Sequence, residues 1–196
     1  AKVGENDSWD SSLASTFAQV GAFSLPTGSK DAALTVTLPG GAGTAQVTGT
    51  DAGVALFEAY DTASLAASKL INLSARASVG AADSALIAGF SINGAGTKRL
   101  LVRAIGPRLV DFGVTGTLSD PRLDIYNSAG TLVASNDNWL AANTSAFTQA
   151  GAFALTTGSR DAVVVVTLPA GASYTVIVTG VDGATGQAMV EIYDLP

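Results

Sequence analysis

The sequence predicts an all-β fold: an antiparallel β-sandwich or jelly roll with an internal repeat. Three observations lead there. The apolar segments are short, alternating or rich in β-branched residues, as half-buried and fully buried strands are. The connections between them are brief and rich in Gly, Pro, Asn and Asp, the residues that make turns. Finally, a long stretch occurs twice. NDSWDSSLASTFAQVGAFSLPTGSKDAALTVTLPGG starts at Asn6, and NDNWLAANTSAFTQAGAFALTTGSRDAVVVVTLPAG starts at Asn136, 130 residues later. Between Asn6–Pro39 and Asn136–Pro169, 19 of 34 positions are identical without a gap, including both tryptophans, Trp9 and Trp139. The copies end alike, in ALFEAYD at Ala55–Asp61 and AMVEIYD at Ala188–Asp194. A period of this length within 196 residues leaves room for one and a half units. The division expected is a half-repeat β unit over residues 1–67 and a complete β-sandwich module over 68–196.

The elements follow in order. Asn6–Trp9 is a polar turn, and Asp10–Gln19 has a capping residue with Leu13 and Phe17 on one helical face. Its twin, Leu140–Gln149, carries Asn and Thr, so one or two loose helical turns are expected in each. GAFSLPTGS predicts a short strand ended by a turn. Ala32–Leu38 and its twin Ala162–Leu168 read as strands, the second β-branched enough to cross a core. TAQVTGT with VALFEAYD, and YTVIVTGV with AMVEIYD, read as hairpins closed by Asp/Gly-rich turns. Between the copies, Thr62–Lys69 reads as a link or a brief helical turn, and LINLSARASV from Leu70 alternates like a strand. SALIAGFSI and KRLLVRAI flank Asn93–Thr97 as a hairpin. Arg108–Leu118 is loop. Asp120–Asn127 and Thr131–Ser135 form a further hairpin about Ser128–Gly130.

Composition narrows the chemistry. Hydrophobic residues make up 47% and charged residues 13%, which argues for a packed core and against disorder. A net charge of -6 disfavours nucleic acid or an anionic membrane as partner. No apolar run approaches the ~18 residues of a membrane-spanning helix, so no insertion is expected. The sequence has no cysteine and no histidine. Disulfides, thiol chemistry, the commonest general base and the commonest transition-metal ligand are therefore all missing. A start at Ala1 without a signal peptide or initiator Met suits a processed or excised segment.

Few residues carry a candidate chemistry. Asp120, Asp124, Asn136 and Asp137, with Asn138 beside them, offer oxygen ligands of the kind calcium takes, and Asn6 and Asp7 repeat part of the set. Asx side chains also cap tight turns through their own backbone, and the spacing follows no EF-hand loop. Trp9 and Trp139 could stack on a sugar ring, together with Tyr126. A recurring Trp followed by a Phe eight residues on, Phe17 and Phe147, is equally the mark of a packing anchor. Arg103 lies within the apolar KRLLVRAI strand, so its guanidinium needs a carboxylate or several carbonyls if buried, and Asp83, Asp111 and Asp120 are the partners considered. With Arg76, Arg108 and Arg122 it could otherwise form an anion site for acidic glycans. Catalysis has little to work with: Glu58 and Glu191 sit in too similar a context to divide acid and base roles, and the GAGT segments lack the Lys and helix of a phosphate loop. An enzyme is not expected.

INLSARASVGAADSALIAGFSINGAGTKRLLVRAIGPRL, FGVTGTLSDPRLDIYNSAGTLVASNDNW, GAFALTTGSRDAVVVVTLPAGASYTVIVTGV and GQAMVEIYDL together resemble a β-rich module recurring in large secreted and surface proteins of Verrucomicrobia and Planctomycetes-type bacteria. The resemblance covers Leu70–Leu195 in order, while Asn6–Asp61 matches only the module's C-terminal half. It implies a secreted or cell-surface accessory module, in tandem or beside catalytic domains, without an active site of its own. LDIYNSAGTLVASNDNW also resembles pre-peptidase C-terminal and related jelly-roll domains, some of which bind calcium or polysaccharide. That likeness implies a calcium role for Asp124, Asn136 and Asp137.

The function expected is a non-catalytic extracellular structural or adhesion module, self-associating by completing its half-unit. The alternative is a carbohydrate-binding module on a secreted polysaccharide-active protein. The partner expected is protein, either self or a neighbouring module, with polysaccharide as the second class.

Overall fold

Strands need hydrogen-bonding neighbours, and in residues 71–196 most of the apolar segments find them across the sequence rather than beside it. The computed structural model describes residues 2–51, 53–62, 69–81 and 84–196. The expected link at Thr62–Lys69 falls mostly on 63–68, outside the described residues. Two compact units are present, Ala1–Leu70 and Ile71–Pro196, so the boundary lies three residues beyond the expected 67/68.

Among the described residues of the second unit, eight strands form two antiparallel sheets. They are β1 (Asn72–Val79), β2 (Leu86–Ile92), β3 (Thr97–Ile105), β4 (Pro121–Asn127), β5 (Leu132–Asn136), β6 (Ala162–Pro169), β7 (Ala172–Gly180) and β8 (Gly186–Asp194). One sheet has the order β1-β8-β3-β6 and the other β2-β7-β4-β5. This is an eight-stranded jelly roll, as the all-β reading predicts. The pairs β1–β8, β2–β7, β3–β6 and β4–β5 are nested, like one long hairpin rolled up. Rolling adds β3–β8 and β4–β7.

Two of the hairpins expected in this unit are therefore not hairpins. β2 and β3, flanking Asn93–Thr97, lie in different sheets, and so do β7 and β8. In both places the chain arches from one layer to the other instead of folding back in the plane. An alternating strand with a Gly-rich turn suits either path, since both put the apolar face inward. The β4–β5 hairpin forms as expected, closed at Ser128–Gly130, where Asn127 accepts backbone N–H groups from Ala129 and Thr131. GAFSLPTGS, expected as a short strand, forms none, and neither does its twin GAFALTTGS; each keeps only its turn, at Thr27–Gly28 and Thr157–Gly158.

Between the layers, Val102, Ala104, Val190 and Ile192 of one sheet meet Leu123, Ile125, Val176 and Val178 of the other. A second cluster lies on the outer face of the β3-containing sheet. Leu101, Ile105 and Val163 are covered there by Ala146 and Phe147 of α2 (Thr144–Ala150), by Leu155 and by Leu109. The β3–β6 part of that sheet is covered on both sides, which accounts for the unbroken apolar run of β6. Each fully buried aliphatic side chain contributes about 1.5–3 kcal/mol.

The first unit repeats the local structure of the second without its sheets. Asp10 caps a 3₁₀ turn at Ser11–Leu13, α1 (Ala14–Val20) follows, and Gly21 ends it in the left-handed region at φ 74°. The twin runs through a 3₁₀ turn at Ala141–Asn143 and α2 to Gly151 at φ 66°. These are better-formed helices than the loose turns expected. Yet Ala32–Leu38, expected as a strand, is not one, and no strand forms among the described residues of Ala1–Leu70. Leu38 is 51% exposed where its twin Leu168 is 4%.

Leu123→Ala is expected to destabilise the Ile71–Pro196 unit by about 2–5 kcal/mol, measured by urea denaturation. Leu38→Ala is expected to change stability by less than about 0.5 kcal/mol.

Candidate functional site

The Trp turn is held by backbone and side-chain bonds that the two copies share. The Trp139 N–H donates to the Asp161 carbonyl at 2.9 Å, and the Trp9 N–H to the Asp31 carbonyl at 2.8 Å. Asn136 Oδ1 accepts from Val163 N–H at 2.9 Å while its Nδ2 donates to the Asn138 carbonyl. Asn6 does the same with Ala33 and Ser8. Trp139 leans on Phe147 at 5.7 Å between ring centroids, and Trp9 on Phe17 at 5.5 Å. The indole N–H groups donate to Ser159 Oγ and to the Pro26 carbonyl. Both rings are half-buried. They anchor the turn and keep an exposed edge.

Asp161 is the polar centre of the complete unit. It is fully buried, and its Oδ1 accepts the backbone N–H groups of Gly106 at 2.9 Å and Arg108 at 3.3 Å. Its Oδ2 accepts from Ser159 at 2.6 Å. It thus ties the end of β3 to the Trp turn. The Gly106 position admits nothing larger, since a Cβ there would lie 2.1 Å from the Leu118 carbonyl oxygen. Sequence reasoning marks the Arg160–Asp161 pair but not this role.

Arg103 is buried completely, on the outer face of β3. Its partner is Glu191, not Asp83, Asp111 or Asp120. Asp111 pairs with Arg108, Asp120 with Arg160 at 2.5 Å, and Asp83 lies outside the described residues. The reason is register: Arg103 and Glu191 sit directly opposite on β3 and β8. Nε and Nη2 both donate to Glu191 Oε2, at 2.8 and 2.5 Å, and Nη1 donates to the Phe153 carbonyl at 2.6 Å. The guanidinium also lies 4.2 Å from the Phe153 ring centroid and 5.1 Å from that of Phe147. Tyr193 OH donates to Glu191 Oε1 at 2.7 Å. Burial, then the Glu191 charge and hydrogen bond, push the Tyr193 phenol up from its ordinary value.

A second cluster gathers three candidates at the outer face of β4, with Asp137 near them. Arg122, Asp124 and Tyr126 alternate with the inward Leu123 and Ile125. Arg122 donates to Asp124 Oδ2 and to Ser135 Oγ, both at 3.0 Å. The hydrogen bond and charge of Asp124 raise the guanidinium's affinity for its proton, and the charges of Asp137 and Tyr126 add to this. Burial pushes the Asp124 carboxyl up, but bonds from Arg122 and Ser135 with the Arg122 charge outweigh it, so it lies below the usual range. One buried oxygen each of Asp120 and Asp124 has no hydrogen-bond partner. Among the described residues no three Asp or Glu side chains converge to enclose a cation. A shallow depression of 380 Å³ lies elsewhere, lined by Ser91, Asn93, Ser128, Gly171 and Ser173, with neither charge nor aromatic ring.

The Tyr193 shift carries a sign. The folded unit favours the neutral phenol, so this contribution is complete below the ordinary value of 10.0 and falls as pH rises above it. Tyr193→Phe is expected to flatten the alkaline limb of a stability–pH profile while leaving its acid limb in place. Arg103→Ala strands a buried carboxylate and is expected to cost about 3–5 kcal/mol in urea denaturation.

No family model and no curated protein matches this chain. Among solved structures it is similar to the pre-peptidase C-terminal domain of collagenase from Bacillus anthracis, at 11% identity and a TM-score of 0.38. That match covers 62% of this chain and 89% of the other.

Proposed function

We propose that the protein is a non-catalytic structural or adhesion module of a secreted or cell-surface bacterial protein, joined to protein partners through its incomplete unit. The observation that carries this reading is the Trp turn built twice with the same backbone and asparagine hydrogen bonds, one copy with its sheets and one without them. Repetition of a scaffold, rather than of a reactive group, suits a tandem array. The polar side chains that would be unusual in a core are engaged in holding the unit together: Arg103 with Glu191, and Asp161 with three donors. With no His or Cys in the sequence, nucleophilic triads and thiol chemistry lack their residues. Among the described residues no helix is long and apolar enough to cross a membrane.

Carbohydrate binding is the second reading, and the outer face of β4 favours it. An aromatic ring, a guanidinium and carboxylates, at Tyr126, Arg122, Asp124 and Asp137, are the groups that grip a polar sugar. The half-exposed Trp139 offers a separate stacking surface.

A glycan array run with and without calcium, beside a panel of glycoside, ester and peptide substrates, tests both. The structural reading expects neither retention nor turnover. Turnover lost in Asp124→Asn would sink it. Glycan retention lost in Tyr126→Ala and Arg122→Ala, with unchanged thermal stability, would establish the second reading instead.

A further inference from the structure

We infer that Asn6–Asp61 is the closing half of a second jelly roll, and that its partner is a five-strand polypeptide of the Ile71–Asn136 pattern, additional to the one this chain already uses. The inference rests on the structural-module reading and goes further by naming the partner and its contacts.

Topology comes first. The repeat begins at the last residue of β5, so it contains the equivalents of β6, β7 and β8. None of these three pairs with another of the three. β6 pairs with β3, β7 with β2 and β4, and β8 with β1 and β3. A closing half by itself has therefore no ladder to make in this fold. Its apolar residues stay out of a core: Leu34, Val36, Leu38, Val47, Leu56 and Phe57 are all exposed.

The half-unit also keeps the polar receptors for the missing half. Glu58, Tyr60, Phe17 and Phe23 stand where Glu191, Tyr193, Phe147 and Phe153 surround Arg103. Tyr60 OH already donates to Glu58 Oε1 at 3.0 Å, as Tyr193 does to Glu191. Asp31 holds Ser29 Oγ at 2.6 Å, as Asp161 holds Ser159, and in the complete unit that carboxylate receives two N–H groups that follow β3. The partner must therefore bring an arginine at the position of Arg103 and a Gly-Pro-Arg corner like Gly106–Arg108. No arginine of the half-repeat can take that place, since Asn6–Asp61 has none.

Within residues 1–196 there are two closing halves and one opening half, and that opening half is already paired with β6, β7 and β8. Exchange between two such segments therefore completes one unit by opening another.

Hydrogen exchange on two chains tests this. One is the 196-residue protein; the other carries a second copy of residues 71–135 placed directly before Asn6, as Ser135 precedes Asn136. In the first, amides of residues 32–51 and 53–61 are expected to exchange almost freely at every protein concentration. In the second, they are expected to slow by a factor on the order of 10³. Glu58→Gln in the extended chain is expected to remove about 10²-fold of that protection, leaving amides of Ile71–Pro196 unchanged. Protection of these residues in the 196-residue protein, whether constant or growing with concentration, would overturn the inference, as would free exchange in the extended chain. Glycan retention or substrate turnover would defeat the structural reading without altering these rates.

Discussion

Hydrogen bonding between two non-contiguous halves of the chain is the constraint on which the rest of this protein depends. β6, β7 and β8 take their strand partners from β1–β4 alone. The same physics gives opposite results in the two copies of the repeat. Where the opening half is present, the valines of β6 pack against both cores, Val163 buried and Val164–Val166 partly so, and the helix behind them closes the outer one. Where it is absent, nearly the same residues keep only what can form locally: a capped helix, a left-handed glycine and the bonds of the Trp turn. Backbone groups of extended chain then remain with water, which satisfies them at little cost.

Polar residues sharpen this dependence. Arg103 and Glu191 belong to different halves, as do Asp161 and the amides of Gly106 and Arg108. A buried ion pair adds little net stability over a well-packed apolar pair, but losing one member is expensive. It therefore discriminates among ways of joining the halves. A slip of one residue between β3 and β8 would turn Arg103 from its carboxylate and its aromatic box into the interlayer core.

Much of this was legible in residue order. The fold class followed from strand length and turn chemistry, and the β4–β5 hairpin from Asp120–Asn127 and its Ser-Ala-Gly turn. The repeat located both Trp turns and the half-unit. The layer to which each strand belongs was not legible, because Asn93–Thr97 serves an arch as well as a hairpin. Arg103 stood out as a charge in an apolar strand, yet its partner could not be found without the register that brings Glu191 opposite. The outer-face group was visible only in part. Arg122, Asp124 and Tyr126 have the spacing of one strand face, whereas the proximity of Asp137 depends on the path of β5. Asn136 has a calcium-type oxygen by residue order alone, but its side chain is engaged in fixing the entry to β6.

The nested order of the pairs bears on how such a chain assembles. β4 and β5 are neighbours in sequence and can meet by closing a short loop. Once they hold, β3 and β6 are brought near, then β2 and β7, and last β1 and β8, whose residues Asn72 and Tyr193 lie almost the whole unit apart. Each step closes only a small additional loop, so the entropy of a long-range β topology is met in instalments rather than at once. The hairpin at Ser128–Gly130 is thus a starting point as well as a turn, from which the closing strands are gathered in one after another.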